Sequence, residues 1–294
     1  MKSSFVTEER YSERIFALVD STDCVSAHRP ERFKKIMFEN RGDAAAFSDF
    51  PLPEDGLERR NPLIVALGDS VTAGHFEFVA DPATAFGKAH PGPLAAADLQ
   101  AYFKSFEGTG QAPKRLTEIV DPRAAFPDRF REKLIDRYGF TAVSVVNAGI
   151  AGDTALGMER RLSRDVIRCQ PDLILINASL NWFESCGSTA EYERALGSIV
   201  ARCRQETEAD IILMTPNADR SFHFVNPLST LESRVEVIRE TAAAQDVCLA
   251  DAYKVWTAYA EEGNPVEKLL ANGANHPSTA GQEVFARVLM KLFD

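Results

Sequence analysis

The sequence predicts an α/β protein of three layers, α/β/α, with helices on both faces of a five-stranded parallel sheet. Two observations carry that expectation. Short apolar runs recur at 63–67, 141–147, 172–178, 209–215 and 246–250, each the length of a buried strand. Between them, apolar residues repeat at the spacing of one helix face. Strands that alternate with helices pair in parallel through right-handed crossovers. In such sheets ligands bind at the carboxyl ends of the strands, so the loops after 67, 147, 178, 215 and 250 should converge on one edge.

Residues 1–60 stand apart as an N-terminal extension or small subdomain. They are charge-rich, hold one weak helical stretch (Tyr11 to Val19), and end in PLPEDGLERRNP, which reads as an exposed linker. The main domain spans 61–294. LIVAL (63–67) is its first strand, stopped by Gly68. Residues 76–122 then form an insertion far longer than an ordinary crossover. Its middle has helical composition between Pro and Gly residues. At the active edge such a segment acts as a lid or substrate wall; a surface ornament or oligomer contact is the other reading. Helices follow at Phe126, Phe130 and Leu134, then at Tyr192, Leu196, Ile199, Val200 and Cys203. Ser188 and Glu191 give the second of these a capping-box start. Val235, Ile238 and Ala242 mark another helix, and Val284, Val288, Leu289 and Leu292 the last. Core packing accounts for all of these stripes.

The 294 residues carry a formal net charge of -10, which argues against a nucleic-acid partner. The first residues lack the apolar core of a signal peptide, and no stretch reaches the roughly 20 apolar residues of a membrane span. Five widely spaced cysteines (24, 169, 186, 203, 248) form no CxxC pair, so neither zinc nor a disulfide framework is indicated. A reduced, cytoplasmic setting fits best. A homo-oligomer stays open.

The chemistry concentrates in four loops. The first strand runs into Gly68-Asp69-Ser70-Val71-Thr72-Ala73-Gly74. A serine opening a helix at a strand's carboxyl end is exposed to substrate, and its own N–H points outward; a plain N-cap is the bland alternative. After the second strand, Asn147-Ala148-Gly149-Ile150-Ala151-Gly152-Asp153-Thr154 leaves backbone N–H groups unshielded. No P-loop Lys-Ser/Thr follows, so Gly152 reads as an oxyanion donor or an ordinary turn. After the third, Asn177 and Asn181 compete as a side-chain donor, and the loop position favours Asn181. Removing one such donor typically costs ~3 kcal/mol of transition-state stabilisation. Near the C-terminus, His276 sits in Ala271-Asn272-Gly273-Ala274-Asn275-His276-Pro277. It alone of five histidines has a Gly/Asn-rich loop that lets it reach the sheet edge. His75 lies close to Ser70 in sequence; His28, His90 and His223 read as surface residues.

Those motifs resemble the SGNH/GDSL hydrolase superfamily over residues 61–294. GDSVTAG resembles its first block, NAGIAGDT the second, NASLNW the third, and NHP with Thr279-Ala280-Gly281 the fifth. The resemblance implies the flavodoxin-like SGNH fold, Ser70 as nucleophile and His276 as base. It implies an oxyanion hole from Ser70, Gly152 and Asn181, and no metal or organic cofactor. Two departures stand out. Ser179 and Trp182 replace the usual Gly and Asp of the third block. Gly273 stands where the fifth block usually has Asp, which predicts a Ser70–His276 dyad. Asn272, a backbone carbonyl near Asn272 or Gly273, or Asp251 are the candidates to orient the imidazole. Asp69, His75 and Trp182 are candidates for the substrate pocket, with Phe76 and Phe183 as further aromatics that stack on a sugar or simply pack.

The implied activity is hydrolysis of short-chain carboxylic esters through an acyl-enzyme, with an acetylated carbohydrate as first choice of substrate. A lysophospholipase, thioesterase or acyltransferase of the same fold is the alternative. A non-catalytic ligand-binding relic, or a nucleotide-binding module of flavodoxin type, belongs to a different class; the joint presence of Ser70, Gly152, Asn181 and His276 speaks against the first, and the lack of a phosphate loop against the second.

Overall fold

Alternation along each strand decides the layers. The computed structural model describes residues 9–39, 61–110, 116–139, 142–182, 184–220 and 231–294. In chain order these form α1 (Glu9–Ser21), α2 (Glu31–Glu39), β1 (Leu63–Gly68), α3 (Ser70–Ala73) and β2 (His75–Val79). Next come α4 (Ala85–Ala89), α5 (Ala96–Lys104), β3 (Thr117–Val120), α6 (Phe126–Arg137), β4 (Ser144–Gly149) and α7 (Ala155–Asp165). The rest is β5 (Leu173–Asn177), α8 (Thr189–Glu206), β6 (Asp210–Met214), α9 (Leu231–Ala244), β7 (Cys248–Ala250), α10 (Ala252–Glu261) and α11 (Thr279–Met290). The linker at 51–60, Phe183 and His223 lie outside the described residues.

Five strands form one parallel sheet in the order β4-β1-β5-β6-β7. Successive side chains point to opposite faces, and the apolar strands use both. Ile64, Ala66, Leu173, Leu175, Ile212 and Met214 pack on α1, α2, α6, α10 and α11. Val65, Leu67, Ile174, Ile176, Ile211 and Leu213 pack on α7, α8 and α9. This is the three-layer α/β/α arrangement expected from the sequence. The second strand begins later than the apolar run at 141–147 and extends to Gly149. Its register, Leu63↔Ser144 through Gly68↔Gly149, carries polar and glycine residues that an apolar run does not mark.

The described part of the N-terminal extension belongs to this same core. Ile15, Leu18 and Val19 of α1, with Phe33 and Met37 of α2, are buried on the first face. Residues 24–26 run beside β7: Asp251 N–H donates to Cys24 O (2.8 Å) and Ser26 N–H to Leu249 O (3.1 Å). An otherwise open sheet edge is thereby covered.

The insertion is rooted beside the turn that carries Ser70. β2 and β3 pair antiparallel, and Asp121 N–H donates to Gly74 O at 2.9 Å. Between them α4 and α5 build a small apolar core of their own around Leu94, Leu99, Tyr102 and Leu116.

Phe33 is fully buried and meets the Phe293 ring edge-on, centroids 6.1 Å apart. Phe33→Ala should therefore lose about 3–5 kcal/mol in chemical denaturation. A loss under about 1 kcal/mol, typical of a surface site, would contradict a shared core.

Candidate active site

The turn after β1 is set by Asp69. Its backbone is extended, and its Oδ1 accepts Val71 N–H at 2.9 Å. Asp69 is thus the N-cap and Ser70 the first helical residue. α3 lasts a single turn and ends at Gly74, φ 85°. Ser70 is held at the carboxyl end of a central strand, 5% exposed.

His276 arrives from the far end of the chain on a loop organised by Asn272. The Asn272 Oδ1 accepts three backbone N–H groups, from Ala274 (3.0 Å), Asn275 (2.9 Å) and His276 (3.0 Å). Asn217 Nδ2 donates to Asn275 O at 2.9 Å and ties the loop to the end of β6. The imidazole then meets two partners: Nε2 lies 3.1 Å from Ser70 Oγ, and Nδ1 lies 3.0 Å from Phe76 O.

Those two contacts assign the tautomer. A carbonyl oxygen only accepts, so Nδ1 carries the proton. In the neutral ring Nε2 is then a bare lone pair aimed at the Ser70 hydroxyl. Burial pushes the His276 pKa down to about 4, opposed by the Glu118 carboxylate. Around the ring, Phe78 stacks with centroids 5.6 Å apart, and His75 lies edge-on at 6.1 Å. His75 Nδ1 in turn is bonded to Glu118 Oε2.

The remaining loops bring Gly152 and Asn181 to the same edge. Gly152 is exposed, with φ 73°, a left-handed conformation that glycine adopts without strain. Asn181 Nδ2 donates to Asp153 O at 3.2 Å, and the amide has a second N–H. Asn177, its rival, is the last residue of β5 and fully buried.

Several sequence-based candidates sit elsewhere. None of the residues expected to orient the imidazole does so. Asn272 binds backbone N–H groups, and Gly273, φ 65°, only turns the loop. Asp251 caps α10 through Lys254 N, accepts from Thr215 Oγ1 at 2.9 Å and pairs with Arg239 at 2.8 Å. Trp182 is 3% exposed, packs on Tyr192, and donates to Gly187 O. Phe76 offers its backbone, because its side chain is fully buried. Asp69 is likewise fully buried, so it shapes the turn from beneath. Among the described residues no group of three His, Cys, Asp or Glu side chains is placed to hold a metal.

Residues 66–284 match the model of the GDSL-like lipase/acylhydrolase family. The chain belongs to this family. It shares 27% identity over 164 residues with an acetylxylan esterase of Geobacillus stearothermophilus, covering 52% of this chain and 74% of the esterase. A lipase/acylhydrolase from Enterococcus faecalis superposes with a TM-score of 0.56 at 22% identity, over 78% of this chain and 94% of that one. A solved acetylxylan esterase from G. stearothermophilus gives 0.53 at 22% identity, over 79% and 93%. The class is that of ester-hydrolysing enzymes.

Two members of the site escape the sequence motifs. The Phe76 acceptor is a backbone atom, which no side-chain pattern marks. Arg161 is the other, and it had a visible signal: it falls on the apolar face of α7 beside Met158 and Leu162, where a charged residue must have buried partners.

Asp69 carries a prediction about stability. Burial pushes its pKa up to about 7, and the Asp153 carboxylate adds to the effect. Its Oδ2 has no hydrogen-bond partner among the described residues. A carboxyl whose folded pKa is raised destabilises the fold progressively as pH rises from its unfolded value through the folded one. Asp69→Asn keeps an oxygen for the cap and removes that charge. Its Tm relative to wild type should therefore be more favourable at pH 8 than at pH 5; an equal or reversed difference would contradict a buried, strained carboxylate.

Proposed function

We propose that the protein is a serine esterase that hydrolyses short-chain carboxylic esters, with acetylated carbohydrates as the first substrate class. The observation that carries this reading is the pair of contacts on His276: Nε2 on Ser70 Oγ at 3.1 Å and Nδ1 on a backbone carbonyl at 3.0 Å. The arrangement is that of a nucleophile beside a general base already in the right tautomer. The acetylxylan esterase relative supports the choice of acyl group and sugar.

In the proposed reaction His276 Nε2 takes the Ser70 proton as Oγ attacks the ester carbonyl. The N–H groups of Ser70 and Gly152, with the free amide N–H of Asn181, receive the developing oxyanion. The protonated imidazole gives its proton to the leaving alcohol. Water then enters by the same route and releases the acid, restoring Ser70. The imidazolium is steadied by the dipole of the Phe76 carbonyl in place of a full carboxylate charge. Ser70 and His276 act as a dyad.

Two outcomes test the reading. Ser70→Ala should lose about 10³-fold or more in kcat on p-nitrophenyl acetate, while wild type prefers acetate over octanoate. Undiminished turnover by Ser70→Ala would remove the nucleophile, and a preference for octanoate would remove the short-chain assignment. The second concerns pH. The base works only unprotonated, and burial lowers its pKa from 6.5 to about 4. The acid limb of kcat/KM should therefore fall well below pH 6.5, and a limb centred at 6.5 or higher would contradict a desolvated, carbonyl-held imidazole.

A further inference from the structure

Arg161 is 8% exposed and stands behind the strand ends that carry the site. Its guanidinium makes four hydrogen bonds. Nη2 donates to Gly68 O (2.9 Å), two residues before Ser70. Nη1 donates to Ala148 O (2.7 Å) at the end of β4 and to Asp165 Oδ2 (2.9 Å) one helical turn on. Nε donates to Asp153 Oδ2 (2.6 Å), next to Gly152. Asp153 extends the link: its Oδ1 accepts Thr154 N–H at 2.9 Å, and its backbone O accepts from Asn181 Nδ2 at 3.2 Å. The helix start leaves room for that carboxylate, because a Cβ on Gly157 would lie 1.8 Å from Asp153 Oδ1.

The loops bearing Ser70, Gly152 and Asn181 are therefore joined through one buried guanidinium and its carboxylate. We infer that Arg161 is a positioning residue for the oxyanion hole, fixing the ends of β1 and β4 and, through Asp153, the Asn181 loop in the mutual register a tetrahedral intermediate needs. This rests on the esterase reading above. The planar five-donor fork is what the geometry requires, since acceptors on two strands and two carboxylates surround it. A lysine ammonium presents its donors from one point and cannot span them. Oxyanion donors act only if held where charge develops, and a misplacement near 1 Å can cost about 100-fold in rate. Arg161 touches no substrate atom in this scheme. Its loss should slow the chemical step and leave ground-state binding nearly as it was.

The test compares wild type, Arg161→Lys, Asp153→Asn, the double variant and Ser70→Ala on p-nitrophenyl acetate. In variants that keep Ser70, rates are expressed per site titrated to completion with a fluorophosphonate. The inference expects Arg161→Lys to lose about 100-fold in kcat with KM within about threefold. The Ki of methylboronic acid, which forms a tetrahedral adduct, should rise in step with the fall in kcat/KM. Asp153→Asn should follow the same pattern. The double variant should be no slower than the slower single, because one clamp is broken twice. If Arg161→Lys does not fold, Asp153→Asn carries the same expectation. A kcat per titrated site within about threefold of wild type, a rise in KM alone, or additive losses in the double variant would overturn the inference. If Ser70→Ala keeps wild-type turnover, the esterase reading itself falls; if Ser70→Ala is inert and Arg161→Lys is not slowed, only the clamp falls.

Discussion

A backbone carbonyl accepts a hydrogen bond and has none to give. Phe76 places one 3.0 Å from Nδ1 of His276, and much of the site's logic descends from that contact. It fixes the ring proton on Nδ1 and turns the other nitrogen to Ser70. The carbonyl lies on β2, which is separated by Gly74 alone from the single-turn helix that Ser70 opens. Ser70 and Phe76 are thus held by one continuous stretch, and His276 closes on both from across the sequence. The insertion is more than a wall. Its root supplies the atom that orients the proposed base, and its β2–β3 pairing, with the Asp121–Gly74 bond, holds that atom in place.

Burial sets the electrostatics. A neutral imidazole and a hydroxyl pack into a nearly dry position at little cost, whereas a charge there is penalised. The low pKa of His276 and the raised pKa of Asp69 share their largest cause, desolvation. Two other carboxylates near the site are engaged by side chains: Glu118 by His75, and Asp153 by Arg161. A carboxylate on Nδ1 would stabilise the imidazolium more strongly. The carbonyl avoids placing a second charge in a buried spot already containing Asp69.

The layers of the fold were legible because LIVAL, DLILINA and ADIILMT are short continuous apolar runs, the mark of buried parallel strands, and the segments between them carry helical periodicity. The Ser70 and His276 loops stood out because residues of unusual chemistry sit where strand ends must be. The hydrogen-bond acceptor for the imidazole was less legible. Gly273 replaces the usual Asp, which leaves Asn272, a backbone carbonyl near Asn272 or Gly273, and Asp251 as the candidates that sequence offers. Asn272 proved to satisfy backbone donors, Asp251 to cap a helix, and the acceptor to be a main-chain atom 200 residues from His276. Trp182 was equally ambiguous from sequence, since an indole packs or stacks on a ligand with the same composition around it. Tertiary contact alone buried it against Tyr192.

The most direct test of this account is the protonation pattern of the His276 ring, read by ¹⁵N NMR on histidine-labelled protein near neutral pH, with His276 assigned by substitution. The account predicts a neutral imidazole with its proton on Nδ1, bonded to a carbonyl, and a bare Nε2. A proton on Nε2, or a doubly protonated ring at that pH, would contradict it.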